Sequence, residues 1–265
     1  MKSAELALNA QGLAERVTAP ESWKAIDFLS DLHLAANTPA TLQALQDHLR
    51  HTQADAVFLL GDIFDAWIGD DARLEGFEAQ CCTMLHEASQ RLPLFFMAGN
   101  RDFLLGAAMA ADAGLQRLSD PCVLQAFGRR ILLSHGDALC LDDLPYQQFR
   151  QQVQSPQWQQ QVLAQPLAWR RELARNLRGA SRQNQQDYSE SNWIDLDAPA
   201  CIKLLQDSAC ELLLHGHTHH PAVHKLQHPL TRWVLSDWDF DTAAPRADVL
   251  RLDAQGLHRI PPERG

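Results

Sequence analysis

Residues of the types that bind metal ions follow five short apolar segments of the chain. In order, they form the clusters Asp31-Leu32-His33, Gly61-Asp62-Ile63-Phe64-Asp65, Gly99-Asn100-Arg101-Asp102, His135-Gly136-Asp137 and Gly216-His217-Thr218-His219. Carboxylate, imidazole and amide groups together are typical ligands of divalent transition metals. Each cluster alone is common in ordinary turns, but five of them at successive segment ends indicate one shared metal site.

The apolar segments that precede these clusters have the length of β-strands. They cover residues 26–30, 57–60, 94–98, 131–134 and 211–214, and stretches of helical spacing lie between them. This alternation predicts an α/β layer fold rich in parallel strands. Sheets of this class bind ligands just beyond the carboxyl ends of their strands, so the five clusters are expected to meet in one crevice.

The ligand types favour a site with two divalent ions, for which Mn²⁺, Fe²⁺ and Zn²⁺ are the candidate metals. In the Asp31/His33 and His217/His219 pairs, a spacing of two residues would point both side chains to one face of an extended backbone. We assign the ligands as follows: Asp31, His33 and His219 on the first ion, Asn100, His135 and His217 on the second, and Asp62 as the bridge. Two such ions, roughly 3.5–4 Å apart, would attract a phosphate or diphosphate, and a hydroxide held between them would attack phosphorus in line.

The composition is that of a folded, acidic protein. The 265 residues allow one large domain, or one domain with an insertion, and 46% hydrophobic with 21% charged residues argues against general disorder. The net charge of −10 disfavours a nucleic-acid partner. No apolar run approaches the roughly 20 residues that span a bilayer, and the first residues lack the apolar core of a signal peptide, so a cytoplasmic protein is expected.

The five clusters resemble, in order, the motif series of the calcineurin-like metallophosphoesterases: D-x-H, GDxxD, GN, a lone histidine and GHxH. The matching motifs extend from residue 31 to residue 219. The resemblance implies the α/β fold of that superfamily, a two-sheet sandwich flanked by helices, with a helical insertion as a lid.

One position indicates a particular branch of the superfamily, because Arg101 stands where many members have histidine. With the segments DAWIGDD at 65–71 and RDFLLG at 101–106, the chain resembles the UDP-2,3-diacylglucosamine pyrophosphohydrolases of lipid A biosynthesis from about residue 25 to about residue 240. The resemblance implies hydrolysis of the diphosphate of UDP-2,3-diacylglucosamine to UMP and 2,3-diacylglucosamine 1-phosphate (lipid X). It also implies two metal ions, typically Mn²⁺.

The same resemblance assigns roles to individual residues. Asp62, Asn100 and Arg101 are expected to act in catalysis, since a guanidinium presents planar donors to charge that develops on a phosphoryl oxygen. The expected substrate contacts are Asn100, Arg101, Asp143, Ser181, Asn184 and His217. Asp65 and Asp137 are candidates for orienting ligand histidines. His215 and Asp102 are expected to support the site rather than to bind metal.

The predicted organisation is an N-terminal leader at 1–24, a metallophosphoesterase core at 25–145 and 194–265, and a helical insertion at 146–193 over the active site. The leader is expected to be a weak helix or a loose segment, and alternating apolar residues at 232–257 predict closing strands. The insertion contains six arginines among apolar residues of helical spacing, namely Arg150, Arg170, Arg171, Arg175, Arg178 and Arg182.

Two interpretations of the insertion follow. Its apolar residues would bury acyl chains while its arginines contact anionic head groups, which would place the protein peripherally on the cytoplasmic face of the inner membrane. Alternatively, the insertion is a solvated pair of amphipathic helices. The oligomeric state stays open.

Two other functions were weighed. Another metal-dependent phosphodiesterase or phosphatase of the superfamily, such as a nuclease, would share the metal site, but a nuclease needs a wide basic track lined with aromatic residues. The arginines here are concentrated in one insertion of an acidic chain. A non-catalytic scaffold is expected to have lost metal ligands, whereas all seven ligand positions are filled.

Overall fold

Two six-stranded β-sheets form the centre of the molecule. The computed structural model describes residues 15–187 and 194–264, and it describes side chains in these ranges except at 180–187. The strands are β1 (Glu15–Thr18), β2 (Ala25–Leu29), β3 (Ala56–Leu60), β4 (Leu94–Met97), β5 (Leu115–Leu118), β6 (Cys122–Ala126), β7 (Arg129–Leu133), β8 (Leu212–His215), β9 (Val223–Lys225), β10 (Thr231–Val234), β11 (Val249–Asp253) and β12 (Gly256–Ile260).

The described α-helices are α1 (Pro39–His51), α2 (Gly76–Ser89), α3 (Ala107–Ala113), α4 (Leu144–Val153), α5 (Pro156–Leu163), α6 (Leu167–Asp187) and α7 (Ala198–Asp207). One sheet has the strand order β1-β6-β7-β8-β10-β9, and the other has the order β12-β11-β2-β3-β4-β5. Strands β2 to β5 are parallel to one another, as are β7, β8 and β10. The predicted two-sheet sandwich flanked by helices is confirmed.

Three apolar clusters hold these layers together. Between the sheets, the ring of Phe58 stacks on that of Phe95 with centroids 4.3 Å apart, and both pack with Leu124 and Leu133 of the opposite sheet. The outer face of one sheet packs on α1, α2 and α3, and the outer face of the other packs on α7. Because both faces of the central strands are buried, these strands are continuous apolar runs, which is why the sequence predicts them well.

The five predicted strand segments correspond to β2, β3, β4, β7 and β8, and strands β10, β11 and β12 confirm the closing strands. The predicted leader differs from expectation, because Glu15–Thr18 forms an edge strand that pairs in parallel with β6. Its side chains alternate between half-buried and exposed, and Val17 packs against the core between the sheets. That alternation suits a strand, not a helix. Residues 1–14 lie outside the described part of the chain.

The predicted insertion contains helices α4, α5 and α6. Helix α4 begins two residues earlier than predicted, where the carboxylate of Asp143 accepts the backbone N–H of Tyr146 at 3.0 Å and so caps the first turn. Ser155 caps α5 in the same way through the N–H of Trp158. Residues 188–193 lie outside the described ranges. Within those ranges, none of the helices combines the length and the apolar composition that a membrane span requires.

Asp27 is the centre of a buried polar network that joins β2 to β11 and α1. Arg251 donates to its two carboxylate oxygens over 2.7 and 2.8 Å, Thr52 donates over 2.5 Å, and His48 lies at 3.2 Å. Burial by itself raises the pKa of Asp27, but the hydrogen bonds from Arg251, His48 and Thr52 outweigh burial and lower the pKa to about 2. The charged form of Asp27 therefore stabilises the folded state.

We expect Asp27→Asn to lower the free energy of unfolding at pH 7 by about 3 kcal/mol, because Arg251 then loses its charged partner. Roughly 2 kcal/mol of this depends on ionisation; it is present above the unfolded pKa near 4 and is lost as the pH falls towards 2. Urea unfolding of both proteins between pH 7 and pH 3 measures the difference. A gap that stays constant or widens as the pH falls would contradict the assignment.

Candidate metal centre

The five ligand clusters lie beyond the ends of strands from both sheets. Asp31, Asp62 and Asn100 follow β2, β3 and β4 of one sheet, whereas His135 and His217 follow β7 and β8 of the other. The carboxyl ends of these parallel strands meet at one edge of the sandwich, and the structure brings the clusters together there, as the sequence predicts.

The ligand loops have an unusual backbone. Five of the seven predicted ligands have positive φ angles, which are 55° at Asp31, 47° at His33, 54° at Asp62, 67° at His217 and 54° at His219. The expectation of extended backbone at these pairs is therefore wrong, because each loop turns through the left-handed region directly after its strand. Such residues cost about 1–3 kcal/mol each and are concentrated at functional sites.

Two glycines let the loops approach one another closely. A Cβ at Gly99 would lie 2.2 Å from Oδ1 of Asp62, and a Cβ at Gly216 would lie 2.3 Å from Oδ2 of Asp31. Any larger residue at either position would displace a predicted metal ligand. At Gly99 this close packing joins two loops of the same sheet, whereas at Gly216 it brings a carboxylate from one sheet against the histidine loop of the other.

The first group of ligands is Asp31, His33 and His219. Nε2 of His33 lies 3.2 Å from Nε2 of His219, and Nε2 of His219 lies 3.2 Å from Oδ1 of Asp31. The other oxygen of Asp31 already accepts the hydroxyl of Ser30 at 2.6 Å and the N–H of His217 at 2.9 Å. Two imidazole nitrogens and one carboxylate oxygen thus converge on one point, which is the donor set that a divalent ion requires.

The second group is built around the amide oxygen of Asn100. It lies 3.0 Å from Nε2 of His135 and 3.0 Å from Nδ1 of His217. Nδ1 of His135 faces the carbonyl oxygen of Leu60 at 3.0 Å, so this nitrogen carries a proton and Nε2 is the atom that would bind a metal ion. Nε2 and the amide oxygen of Asn100 lie close enough to share either a proton or a cation, so the chemistry of this group fits a metal ion.

Asp62 lies beside the second group. Its Oδ1 is 3.6 Å from Nε2 of His135, and possible ligand atoms of Asp31, Asp62 and His135 lie within 4.8 Å of one another. Asp31 therefore belongs to both candidate ligand sets, which the sequence does not predict. The bridging role of Asp62 stays a prediction.

The pKa values of the predicted ligands depend on their burial and on the charges of neighbouring ligands. Burial raises the pKa of Asp62. Burial alone would lower the pKa of His135, but the carboxylates of Asp62 and Asp31 outweigh it and raise the pKa. Burial lowers the pKa of His217 to about 3 and keeps His33 neutral as well. Buried carboxylates that draw a proton onto His135 form a site that binds cations, since a bound ion would replace that proton and remove the desolvation penalty of the carboxylates.

Arg101 and Asp102 connect the loops. The backbone N–H of Arg101 donates to Oδ1 of Asp62 at 2.8 Å, and its guanidinium Nε lies 3.7 Å from Oδ2. The buried carboxylate of Asp102 accepts the N–H groups of Gly99 at 2.7 Å and of Ile63 at 2.8 Å. Asp102 thus fixes the Asp62 loop to the Asn100 loop, which is the supporting role expected of it.

His215 also supports the site. Its ring lies behind the ligand loop, with Nδ1 2.9 Å from the carbonyl oxygen of Gly216 and Nε2 3.1 Å from Nη1 of Arg232. Burial lowers the pKa of His215 to about 4, so the ring stays neutral and accepts from Arg232. Arg232 in turn pairs with Asp195, which follows the insertion.

The structure gives Asp65 and Asp137 partners other than the ligand histidines. Asp65 pairs with Arg178 of α6. Asp137 accepts the hydroxyl of Tyr146 at 2.5 Å and Nε of Arg150 at 2.8 Å. The hypothesis that these carboxylates orient ligand histidines through hydrogen bonds is therefore wrong. Both carboxylates instead bind side chains of the insertion and so connect it to the ligand loops.

Two residues near the ligands were missed by the sequence analysis. Asp237 lies with Oδ2 3.9 Å from Nδ1 of His219 and is held by Arg246 at 2.6 Å. The ring centroid of Tyr146 lies 5.9 Å from that of His217. The signal for Asp237 was present, because Ser236-Asp237 ends the apolar run at 233–235 just as the other clusters end theirs.

The remaining predicted substrate contacts lie in the insertion or just before it and stay predictions. Asp143 is half-exposed at the start of α4, where one carboxylate oxygen is used in the helix cap. Ser181 and Asn184 lie in the last part of α6, but their side chains are outside the described part of the chain.

Sequence comparison shows which family this geometry represents. A family model of calcineurin-like phosphoesterases matches residues 24–221, a range that includes every predicted metal ligand. The chain belongs to the calcineurin-like phosphoesterase family. Its curated relatives include UDP-2,3-diacylglucosamine hydrolase of Chromobacterium violaceum, which is 45% identical over 239 residues, covering 89% of this chain and 98% of the relative.

A second relative is UDP-2,3-diacylglucosamine hydrolase of Stenotrophomonas maltophilia, which is 40% identical over 240 residues, covering 86% of this chain and 95% of the relative. Among solved structures, an archaeal phosphodiesterase matches with a TM-score of 0.43 and 10% identity, covering 89% of this chain and 98% of that one. Family membership rests on the sequence matches, which confirm the resemblance based on the ordered motifs and on Arg101.

Proposed function

We propose that the protein hydrolyses the diphosphate of UDP-2,3-diacylglucosamine and releases UMP and 2,3-diacylglucosamine 1-phosphate. The observation that carries the proposal is the pair of candidate ligand groups that share Asp31, with Asp62 and the guanidinium of Arg101 beside them. Relatives that align with nearly their whole length are named for hydrolysis of this substrate. The chain is thus a metal-dependent hydrolase whose substrate carries a diphosphate.

The predicted ligands and Arg101 have different roles in this reaction. When bound, two divalent cations supply a water nucleophile and electrophilic stabilisation of the phosphoryl oxygens. Asp31 and Asp62 balance part of the cations' charge, and the neutral histidines leave the centre positive enough to attract a diphosphate. Arg101 lies beside Asp62, where its N–H groups would meet charge that develops on a phosphoryl oxygen. We propose Mn²⁺ for both ions, because carboxylate, imidazole and amide ligands together suit it.

Metal removal provides the first test of this function. We expect metal-stripped protein to be inactive and added Mn²⁺ to restore release of UMP from UDP-2,3-diacylglucosamine, with UDP-N-acetylglucosamine and bis-p-nitrophenyl phosphate assayed in parallel. Preference for the diacyl substrate would support the proposal. Activity on the simple diester alone would indicate another phosphodiesterase of the same superfamily, and inactivity with two bound ions would indicate a scaffold.

We also propose that the insertion contacts the cytoplasmic face of the inner membrane, where a diacylated substrate resides. The support is a pair of exposed apolar side chains in the insertion, Trp169 with 47% and Leu163 with 42% accessible, and Leu74, which lies outside the insertion just before α2, is 70% accessible. The arginines would contribute less to membrane binding than the sequence predicts, because Arg170 is only 4% exposed and pairs with Asp71. Apolar insertion rather than charge would therefore drive the contact.

Vesicle binding tests this contact. The double variant Leu163→Ser/Trp169→Ser is expected to bind vesicles of phosphatidylethanolamine and phosphatidylglycerol about tenfold more weakly than the wild type, in a flotation assay. Val223→Ser, at an exposed apolar residue of β9, provides the matched control. Equal binding by the double variant and the control would show that these residues do not contact the membrane.

A further inference from the structure

Arg178 occupies a special place among the arginines of α6. Its Nη2 donates to Oδ1 of Asp65, the residue that closes the GDxxD cluster, so the guanidinium is held at the edge of the metal centre. The side chain is 17% exposed. Burial is the main cause that lowers the pKa of His33 and of Arg101, and the positive charge of Arg178 lowers both further, which places it near the first ligand group and near the other guanidinium.

The hydrogen-bonding capacity of Arg178 is only partly used. Its Nε and Nη1 atoms are buried and have no hydrogen-bond partner among the residues that the structure describes. Buried donors of a charged group are almost always paired, because an unpaired one forfeits its hydration without compensation. Donors that are unpaired beside a metal centre therefore indicate an anionic ligand.

Comparison with Arg170, eight residues earlier on the same helix, shows what a purely structural arginine looks like. Its Nε donates to the carbonyl oxygen of Gln165 at 2.9 Å, its Nη1 donates to the carbonyl oxygen of Ile68 at 2.5 Å, and both terminal nitrogens donate to Asp71. All its nitrogens are engaged in attaching α6 to the core. Arg178 makes one such attachment and keeps two nitrogens available.

We infer that Arg178 is a second guanidinium for the substrate, binding anionic oxygens of the diphosphate together with Arg101. Two neighbouring guanidinium groups repel each other, and an anion between them converts this repulsion into attraction. The pair with Asp65 holds Arg178 in place before the substrate arrives, so little side-chain freedom is lost on binding. This inference rests on the proposed function for the identity of the substrate, but not for the presence of an anion site.

The insertion then has a second role besides its predicted position over the active site, because α6 provides a guanidinium group that binds the substrate. Correct closure of α6 onto Asp65 would be needed for full affinity. Asp65 itself would be a positioning residue, which acts through Arg178 rather than by touching the substrate.

The test uses full-length protein loaded with Mn²⁺ and the variants Arg178→Ala, Arg178→Lys and Asp65→Asn. Arg175→Ala is the matched control, since Arg175 lies on the same helix, is 73% exposed and pairs only with Glu172 among the described residues. For each protein we measure the dissociation constant of inorganic phosphate by calorimetry, kcat and KM for UDP-2,3-diacylglucosamine, metal content and Tm.

We expect Arg178→Ala to weaken phosphate binding and to raise KM by about tenfold to a hundredfold, with metal content unchanged. Arg178→Lys keeps a positive charge beside Asp65, so its phosphate affinity is expected to lie between those of the wild type and Arg178→Ala. Asp65→Asn is expected to retain most of the wild-type phosphate affinity. Wild-type phosphate binding by Arg178→Ala would overturn the inference. Equal losses in Arg178→Ala and Asp65→Asn would also overturn it, because only the ion pair would then matter.

The two proposals fail in different ways. If the wild type does not cleave UDP-2,3-diacylglucosamine but binds phosphate in a manner that depends on Arg178, the proposed substrate is wrong and the anion site stands. If the wild type cleaves the substrate and Arg178→Ala cleaves it with the same KM, the inference about Arg178 is wrong and the proposed function stands. Should Arg178→Ala fail to fold, Arg178→Lys decides the matter through phosphate affinity.

Discussion

Asp62→Ala is expected to abolish turnover and metal loading together. Asp62 lies 3.6 Å from Nε2 of His135 and is the predicted bridge between the two ions, so its removal would take a negative charge and a shared ligand from both. Loss of the cations removes several kcal/mol of transition-state stabilisation, which corresponds to about a thousandfold or more in kcat. Metal content by atomic emission and UMP release, measured on the same preparation, test the coupled loss.

Asp62→Asn is the control for shape. The amide keeps the size of the side chain and an oxygen that can accept the N–H of Arg101, now 2.8 Å from Oδ1, but it lacks the charge. We expect this variant to fold normally and still to bind metal weakly. Full loading with two ions in either variant would show that Asp62 does not bridge them.

The second large effect is expected at Arg101, where replacement by alanine should leave the metals bound and slow the reaction. The backbone bond from residue 101 to Asp62 survives any substitution, whereas the guanidinium beside the carboxylate is lost. Removal of one donor to a developing oxyanion costs about a hundredfold to a thousandfold in kcat. Steady-state kinetics with measured metal content separate this loss from the behaviour of Asp62→Ala.

Arg101→Lys refines the same test. Lysine keeps the charge but cannot present two planar donors, so partial recovery of kcat is expected. Arg50→Ala provides a control at an exposed arginine on α1. Loss of metal from Arg101→Ala would instead show that the guanidinium stabilises the ligand loops, and unchanged kcat would exclude a role in the reaction.

The predictions for Asp62 and Arg101 depend on a site that could largely be predicted from the sequence. Strands β3 and β4 are buried on both faces, so they are continuous apolar runs and their ends are evident from the polar residues that follow. The carboxyl ends of parallel strands share one edge, which is a rule of the fold class and requires no coordinates. The family, and the meeting of the seven predicted ligand positions at one edge, could therefore be predicted from local patterns and their order.

The insertion shows where local pattern fails. Arg170 and Arg178 lie on one helix and are chemically identical, and the sequence analysis gave both the same role in lipid binding. The structure engages Arg170 fully with the core, while Arg178 pairs with Asp65 and keeps buried donors. The difference comes from residues about a hundred positions away in sequence, and no pattern within α6 contains that information.

The sequence by itself determined the order of strands and clusters, the donor types and the family, because apolar runs and turn residues are local properties. Only the tertiary structure decided the left-handed backbone at residues such as Asp31 and His217, the contact of Asp31 with both ligand groups, and the pairing of Glu15–Thr18 with β6. Asp31 and His219 meet across 188 positions of chain. Such contacts depend on how two sheets pack against each other, and the physical cause is the simultaneous burial of both inner faces rather than the preference of any single segment.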